Sequence, residues 1–283
     1  MGILSIQSHV AYGYVGNKAA VFPLQSMGYD VWGINTVQFS NHTGYGSWAG
    51  DIFPATHIAA VVQGLIALGQ GPQCEAVLSG YLGSGKIGQV ISEAVLQLRE
   101  MNPALLYLCD PVMGDFGRGI FVKPDVLDFL NTSLMADIIT PNHFEAEILS
   151  GLSIQSIDDA KRVADFFHEK GIKQVLITSI NLPQNTPDHI HIFLSVQGTC
   201  FLSVSTYYEL SPLPNGMGDL FSALYLGYYL KEKNAPLALH QTLSVMDEVM
   251  RLTQYESKRE LAILSATYGG VQKLNKKIKI QSI

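Results

Sequence analysis

The sequence is poor in charge, and it has least of the positive sign. Of its 283 residues 15% are charged, and 18 lysines and arginines stand against 24 aspartates and glutamates, which gives a formal net charge of −6. Nucleic-acid binding normally needs a clustered positive surface, which this balance does not supply. The hydrophobic content of 47% is typical of a globular protein. We therefore expect a folded protein with no nucleic-acid partner.

Cysteines and long apolar runs are also scarce. Cys74, Cys109 and Cys200 are far apart and form no CxxC pair, so neither zinc binding nor redox chemistry is expected of them. No apolar run approaches the roughly 20 residues that cross a membrane, and the start, MGILSIQSHV, lacks the features of a signal peptide. These absences predict buried, reduced thiols and a cytoplasmic protein with no membrane partner.

Short apolar runs alternate with amphipathic segments as far as Thr178. This alternation predicts helices that connect parallel strands and cover both faces of a sheet. Strands are predicted at 2–6, 31–39, 76–80, 105–109, 137–140 and 174–178. Helices are predicted at 17–28, 55–69, 87–101, 142–150 and 157–170.

The pattern changes after Thr178. Two apolar runs, 189–196 and 199–208, are joined by a Gln-Gly pair, which predicts a hairpin and hence an antiparallel edge of the sheet. Three helices are predicted to follow, at 218–232, 236–255 and 257–272. No linker or repeat interrupts the chain, so we expect residues 1–283 to form one domain. The predicted fold is a three-layer α/β/α sandwich with a mostly parallel central sheet and an antiparallel edge.

The stretch GYLGSGKI (80–87) resembles two phosphate-binding motifs. It matches a P-loop until Ile87, which lacks the hydroxyl group that such a loop offers to Mg²⁺. Gly83, Gly85 and Gly88 also match the GxGxxG fingerprint of dinucleotide-binding folds, which would make the protein an NAD-binding oxidoreductase. The third interpretation is a glycine-rich loop between a strand and a helix, and we favour it.

A second glycine cluster leads directly into an apolar helical run. Gly216, Met217 and Gly218 precede Asp219 and the run LFSALYLGYYL. Backbone N–H groups at a helix N-terminus bind anions, and the helix dipole favours negative charge there. An acid in the first turn of a helix can be purely structural, but beside an anion site it can also accept the proton of an attacking hydroxyl group. The pairing indicates a kinase.

Two other predicted strand ends carry acidic residues. Asp110 and Asp115 follow one strand, and Asn142 and Glu145 follow the next. The first pair can be a simple turn and the second a helix capping box. Because ligands collect beyond the carboxyl ends of parallel strands, these acids also predict a divalent metal site. The structural and functional interpretations are compatible.

Six segments together resemble the pyridoxal kinases of the ribokinase-like superfamily. They occur in that family's order and spacing, and the resemblance covers nearly the whole chain, thinning after about residue 235. The segments are SIQSHVAYGYVGN (5–17), VQFSNHTGYGSW (37–48), SGYLGS (79–84), YLCDPVMGD (107–115), DIITPNHFEAEIL (137–149) and GMGD (216–219).

The resemblance implies that the γ-phosphate of ATP is transferred to the 5′-hydroxyl of pyridoxal, pyridoxine or pyridoxamine. It also implies Mg²⁺, a monovalent cation such as K⁺, and a homodimer. Asp219 is implied as the base, with an anion hole formed by Gly216, Met217 and Gly218. The implied substrate-binding residues are Ser8, Val15, Phe39, Thr43, Tyr81 and Asp219. The implied ATP-binding residues are Asp110, Asp115, Asn142, Glu145, Thr178 and Ser179, and the metal is implied to be held, partly through water, by Asp110, Asp115 and Glu145.

One position departs from the family pattern and leaves alternatives open. Met217 stands where the family often has threonine, so a hydroxyl contact to ATP is lost while the backbone amides remain. A related kinase of hydroxymethylpyrimidine or of a sugar is the nearest alternative. The alternatives from other classes are the NAD-binding oxidoreductase and a non-catalytic vitamin-binding protein.

Overall fold

The computed structural model of the protein describes residues 1–182, 188–268 and 278–283. Within these residues ten strands form one sheet, and two short strands form a separate hairpin. The strands are β1 (Gly2–Val10), β2 (Asp30–Phe39), β3 (Gly50–Ile52), β4 (Cys74–Ser79), β5 (Leu106–Cys109), β6 (Gly114–Asp115), β7 (Gly119–Ile120), β8 (Ile138–Ile139), β9 (Gln174–Ile180), β10 (His189–Val196), β11 (Thr199–Thr206) and β12 (Lys279–Ser282). The helices are α1 (Asn17–Ser26), α2 (Ala55–Ala67), α3 (Gly85–Met101), α4 (Pro124–Ser133), α5 (His143–Ser150), α6 (Ile157–Glu169), α7 (Met217–Glu232) and α8 (Ala235–Tyr255).

The centre of the sheet is parallel, as predicted. Its strand order is β12-β11-β10-β9-β8-β5-β4-β1-β2-β3, and the pairs from β9 to β2 are all parallel. The predicted hairpin of β10 and β11 is present, and β12 extends this antiparallel edge. The short strand β3 adds an antiparallel pair at the opposite edge, which the sequence pattern did not predict. The central strands are buried on both faces, which explains their nearly continuous apolar runs.

Helices cover both faces of the sheet and confirm the predicted three layers. One face packs against α2, α3, α4, α5 and α6, whose apolar side chains form one core cluster. The other packs against α1, α7 and α8, which form a second cluster. Neighbouring residues of a strand contribute to opposite clusters, as Ile3 and Leu4 of β1 do, because successive side chains of a strand point to opposite faces.

Helix α7 is the most deeply buried helix of its layer. Its residues from Leu220 to Tyr228 are all buried, and it packs against both α1 and α8. A helix that is apolar on every side lies inside a protein rather than on its surface. The packing of α7 therefore fixes where its N-terminus lies.

The helix predicted at 257–272 was wrong over its described part. After α8 the chain forms turns, and only a short 3₁₀ turn, Ile263–Ser265, is helical between residues 256 and 268. Ser257 has a φ of 51°, and the backbone N–H of Ala262 donates to Oγ1 of Thr253, so the chain folds back against the end of α8. Residues 269–272 of the predicted helix lie outside the described residues.

Three further elements were not predicted, and strand β12 is one of them. Helix α4 and the β6–β7 hairpin lie between the end of β5 and the start of β8. No helix within the described ranges is long and apolar enough to cross a membrane. The organisation of the whole chain as one domain stays a prediction.

Gly88 and Gly64 offer a matched test of helix packing. A Cβ atom at Gly88 of α3 would lie 2.4 Å from the ring of the buried Phe129 of α4, whereas a Cβ at Gly64 of α2 would meet nothing within 4 Å. We expect Gly88→Ala to lower the free energy of unfolding by about 1 to 3 kcal/mol through overpacking. Gly64→Ala should raise it by up to about 1 kcal/mol through helix propensity. Urea denaturation measures both, and equal effects of the two substitutions would contradict the close α3–α4 contact.

Candidate functional site

Polar residues of the predicted site lie at the carboxyl ends of the parallel strands. Ser8 lies where the register of β1 against β2 shifts, between Gln7 and His9. Asp110 directly follows β5. Asn142 bridges to Thr178 of β9, so the ends of β8 and β9 also meet at this rim. The rim is the usual place for a ligand in an open α/β sheet.

The N-terminus of α7 is held against the segment that follows β1. Gly216 precedes the helix with a φ of 84°, and a Cβ at this position would lie 1.9 Å from the carbonyl oxygen of Tyr14. Only glycine permits both the conformation and this approach. Gly216 has no side chain to cap the helix, and within the described residues no side chain accepts from the N–H of Met217, Gly218 or Asp219. These amides are suited to an anion.

Asp219 lies in the first turn of α7 and is half-buried. Burial raises the pKa of its carboxyl group, while a hydrogen bond from the backbone N–H of Gly16 opposes that rise. A carboxylate with a raised pKa is a stronger base than an exposed one. Its position beside the free amides is the arrangement predicted for a base next to an anion site.

Asp110 lies beside the same turn and is buried. Its Oδ2 is 3.5 Å from the position that a Cβ would take on Gly218. Burial raises the pKa of Asp110 well above its usual range, and the charges of Glu145 and Asp219 raise it further, against a hydrogen bond from Ser222. Asp110 thus lies close enough to two other predicted acids, Glu145 and Asp219, for their charges to repel its own.

Glu145 forms the predicted capping box at the start of α5. Its Oε2 accepts from the backbone N–H of Asn142 at 2.9 Å, and the Asn142 side chain accepts from the N–H of Glu145. Its Oε1 accepts from the N–H of Met113 at 2.9 Å. Burial raises the pKa of Glu145 to about 7 in spite of these hydrogen bonds. The capping interpretation is confirmed, and it places a buried acid near Asp110.

The acids suit a hydrated divalent cation better than a direct three-ligand site. No group of three acidic, histidine or cysteine side chains within the described residues is placed to hold a metal directly. Mg²⁺ usually keeps several waters and takes one or two carboxylates together with substrate phosphates. Asp110 and Glu145 meet that need, since both are buried acids that repel each other. Asp115 is exposed on the β6–β7 hairpin, where its charge raises the pKa of Glu145.

Three predicted ring contacts belong to one apolar cluster. Val15 and Phe39 are buried with Val10 and Val37, and the half-buried Tyr81 packs against them. We call Val15, Phe39 and Tyr81 the apolar wall. The wall adjoins the site because Val15 precedes Gly16, whose N–H binds Asp219.

Other predicted residues are more dispersed. Ser8 is buried at the end of β1, whereas Thr43 is exposed in the short 3₁₀ turn Thr43–Tyr45. Ser179 is exposed with a φ of 56°, at an irregularity in the pairing of β9 with β10. Met217 is half-buried and packs against the second core cluster. The roles predicted for these four residues stay predictions.

Gly85 and Gly88 of the stretch 80–88 serve helix packing. A Cβ at Gly85 would lie 2.1 Å from the carbonyl oxygen of Asp125, and the Asp125 carboxylate accepts from the N–H of Gly85 at 2.8 Å. An acid of α4 therefore already occupies the N-terminus of α3, where a P-loop or a dinucleotide site would bind phosphate. Lys86 is exposed. This geometry favours the plain strand-to-helix loop.

Several contacts of the site do not follow from the sequence pattern. The amide of Gly16, the hydroxyl group of Ser222, and the pair formed by Tyr45 and Glu260 were not predicted. Gly16 and Tyr45 lie inside segments that carry the family resemblance, which is a signal that could have found them. Glu260 lies in the segment mistaken for a helix.

Comparison with known proteins gives concordant matches. A family model described as phosphomethylpyrimidine kinase matches residues 46–260. The chain is 42% identical to the pyridoxal kinase PdxY of Deinococcus radiodurans over 270 residues, covering 93% of this chain and 91% of that protein. It is 40% identical to the pyridoxal kinase PdxY of Corynebacterium diphtheriae, with 94% of each covered.

Solved structures agree with these matches. A pyridoxal kinase from Leishmania donovani in complex with ADP and pyridoxamine is 32% identical, with a TM-score of 0.89 over 100% of this chain and 99% of that one. Plasmodium falciparum PdxK with AMP-PNP and PL is 26% identical, with a TM-score of 0.86 over 100% of this chain and 98% of that one.

Lys86 provides a test of the 80–88 loop. Because it is exposed and the adjoining helix terminus is occupied by Asp125, we expect Lys86→Ala to change nucleotide affinity less than about twofold. Asp125→Ala should instead lower the free energy of unfolding by about 1 kcal/mol through loss of the cap. Calorimetric titration with ATP and thermal denaturation measure the two effects. A tenfold or greater loss of ATP affinity in Lys86→Ala would restore the P-loop interpretation.

Proposed function

The chain belongs to the pyridoxal kinase family, and on that premise we propose that it transfers the γ-phosphoryl group of ATP to the 5′-hydroxyl group of pyridoxal. Pyridoxine and pyridoxamine are further acceptors, and the product of the main reaction is pyridoxal 5′-phosphate, formed in vitamin B6 salvage. The observation that carries the proposal is the turn at 216–219. Free helix amides there adjoin a half-buried aspartate and the buried Asp110.

Asp219 is the base in this proposal. Its carboxylate takes the proton of the 5′-hydroxyl group as the oxygen attacks the γ-phosphorus atom. The bond from that phosphorus to the β–γ bridging oxygen breaks, and ADP leaves with the electron pair. The amides of Gly216, Met217 and Gly218 stabilise the charge on the transferred oxygens. The hydrogen bond from Gly16 to Asp219 holds the base in place.

The vitamin ring is held by the apolar wall and by polar groups around it. Val15, Phe39 and Tyr81 contact the faces of the ring, and burial of Tyr81 supports this role. Ser8 and Thr43 bind the ring substituents by hydrogen bonds. Val15 of the apolar wall is followed by Gly16, whose N–H donates to Asp219. The ring-binding residues therefore lie next to the proposed base.

The nucleotide is bound as its Mg²⁺ complex. Asp110, Asp115 and Glu145 would hold the cation, partly through water, and Asn142, Thr178 and Ser179 would serve the phosphates. When bound, Mg²⁺ neutralises phosphate charge, and the raised pKa values of Asp110 and Glu145 support a cationic partner. A monovalent cation such as K⁺ is a further requirement in this proposal. Activity measured with Mg²⁺ or K⁺ omitted tests both cations.

The free thiols support the proposed compartment, and the family resemblance supports the proposed oligomeric state. Cys74, Cys109 and Cys200 are free and buried, which supports a reducing, cytoplasmic compartment. We infer a homodimer from the family resemblance. Light scattering coupled to size exclusion tests the dimer.

A kinase of hydroxymethylpyrimidine is the second candidate, because the matching family model is described as phosphomethylpyrimidine kinase. A panel of pyridoxal, pyridoxine, pyridoxamine, hydroxymethylpyrimidine and ribose, assayed with ATP for ADP release, separates the candidates. We expect the highest kcat/KM with pyridoxal. A clear preference for the pyrimidine or the sugar would contradict the proposed substrate. Saturable NAD binding without ATP binding would contradict the proposed reaction class.

Asp219→Asn tests the base. We expect kcat to fall by about 10² to 10⁴-fold, with both KM values changed only slightly, because general-base catalysis acts in the transition state. Asp158→Asn is a matched control, since Asp158 is a first-turn aspartate of α6 with an exposed side chain. Near-normal kcat in Asp219→Asn would show that another group takes the proton.

The acidic limb of the pH profile tests Glu145. The pKa of this buried acid is about 7, so below that pH it carries a proton and cannot hold the metal complex. We expect kcat/KM for ATP to fall as the pH drops below about 7, rather than near the usual carboxyl range. In Glu145→Gln we expect lower values of kcat/KM for ATP. Their fall with decreasing pH should also move to lower pH, because the charge of Glu145, which raises the pKa of Asp110, is gone.

Glu147→Gln is the control on the same helix, and it should leave the limb in place. Superimposable limbs for the parent enzyme and Glu145→Gln would assign the titration to a different group.

A further inference from the structure

Glu260 links two loops of the site from a distant part of the chain. Glu260 as a whole is only 9% exposed. Oε2 accepts from the backbone N–H of Tyr14 at 2.9 Å, and Oε1 accepts from the hydroxyl group of Tyr45. The two tyrosines lie on separate loops, one after β1 and one in the 3₁₀ turn after β2. One carboxylate therefore fixes the relative position of both loops.

The first loop leads from Glu260 to the turn at 216–219. Gly13 has no side chain, and a Cβ there would lie 2.5 Å from Oε2 of Glu260, so the chain passes close to the carboxylate. The carbonyl oxygen of Tyr14 packs against Gly216. The same loop continues into Val15 of the apolar wall and into Gly16, which donates to Asp219.

The second loop carries Thr43. Tyr45 ends the 3₁₀ turn that Thr43 begins, and its hydroxyl group is bound by Glu260. Arg259 adds two contacts: its guanidinium lies 3.5 Å from the centroid of the Tyr45 ring, and its Nη2 donates to the carbonyl oxygen of Gly44 at 3.3 Å. Burial, with the hydrogen bond and charge of Glu260, raises the pKa of Tyr45 to about 12, so the phenol stays a donor.

The segment that carries Glu260 is itself well anchored. Thr253 of α8 binds it twice, through its carbonyl oxygen to the N–H of Lys258 and through Oγ1 to the N–H of Ala262. Leu261 and Ile263, which follow the acid, are buried in the second core cluster. A carboxylate held in this way acts as a rigid support for the two loops.

We propose that Glu260 is a positioning residue that holds the loop after β1 and the turn Thr43–Tyr45 in the geometry needed to bind the B6 vitamer. This inference rests on the proposed function, because it concerns the vitamin side of the same site. Glu260 does not touch the substrate. Helix α7 is held in place by its own burial, so loss of Glu260 acts mainly through Val15 and Thr43 and affects vitamer binding more than ATP binding.

Steady-state kinetics of Glu260→Ala, Glu260→Gln and Tyr45→Phe test the proposal. Glu260→Ala is expected to raise KM for pyridoxal about tenfold, as loss of a charged hydrogen bond does, with KM for ATP changed less than about twofold. Glu260→Gln keeps an acceptor for Tyr14 and should recover part of the loss. Tyr45→Phe should raise the same KM, and combining it with Glu260→Ala should add little, because the two share one contact.

Glu256→Gln is the matched control. Glu256 lies in the same segment but binds Ser265 and Lys258 instead of a site loop. It should leave both KM values unchanged. Equal rises of both KM values in Glu260→Ala, or unchanged KM values with a lowered Tm, would reduce Glu260 to a structural residue. If Glu260→Ala does not fold, Glu260→Gln and Tyr45→Phe decide the question by the same KM ratio.

A second measurement needs no catalysis. The chain has two tryptophans, and Trp48, whose ring lies 4.2 Å from that of Phe39, follows the turn held by Glu260. In a Trp32→Phe background, acrylamide quenching of Trp48 should increase on Glu260→Ala and stay unchanged on Glu256→Gln. If the parent protein does not phosphorylate pyridoxal, the proposed function fails, yet the quenching still tests the support of the loop. Unchanged quenching would overturn the inference.

Discussion

Burial of helix α7 is the constraint on which the site depends. Its apolar residues pack against α1, α8 and the sheet, so the helix cannot shift without exposing core. Its first turn is thereby fixed at the carboxyl ends of the strands, next to Asp110. The contact of Gly216 with the Tyr14 carbonyl oxygen extends this rigidity to the loop after β1. An anion site made of backbone amides needs such rigidity, because its donors cannot adjust as side chains do.

Two helix N-termini of this chain show how local charge decides between structure and function. At α3 the carboxylate of Asp125 binds the N–H of Gly85, so the positive end of the helix is already neutralised. At α7 no side chain of the described residues caps the first turn. The glycine pattern at α3 matches known motifs more closely, yet the α7 terminus is the one left open to a ligand. The spacing of glycines in a motif indicates where the backbone turns into a helix. Whether that helix N-terminus is free to bind a ligand depends on residues far along the chain, such as Asp125.

The features that could be predicted from the sequence are those that depend on residues close together in the chain. The parallel strands, most helices, the β10–β11 hairpin and the capping box at Asn142 all follow from short apolar patterns and turn residues. The turn at 256–262 did not follow, because Thr253, Tyr14 and Tyr45 override the helical pattern of that segment through tertiary contacts. The cap that Asp125 gives to α3 was missed for the same reason. The acids of the rim were found by their positions after strands, whereas their mutual repulsion required the folded geometry.

The rim acids also lower the free energy of unfolding. The pKa of Glu145 is about 7 in the folded protein and about 4.5 without the fold's influence. Between these values the folded state keeps a proton that the unfolded chain has released, so the free energy of unfolding falls as the pH rises through this window. The three backbone hydrogen bonds to Glu145 offset part of the cost of burying its charge. The part of this cost that the hydrogen bonds do not offset favours the binding of a cation together with a phosphate ligand. Such a cation relieves the repulsion between Glu145 and Asp110. The rim is thus least stable in the empty, fully ionised state, which is also the state with the greatest affinity for a metal–nucleotide complex.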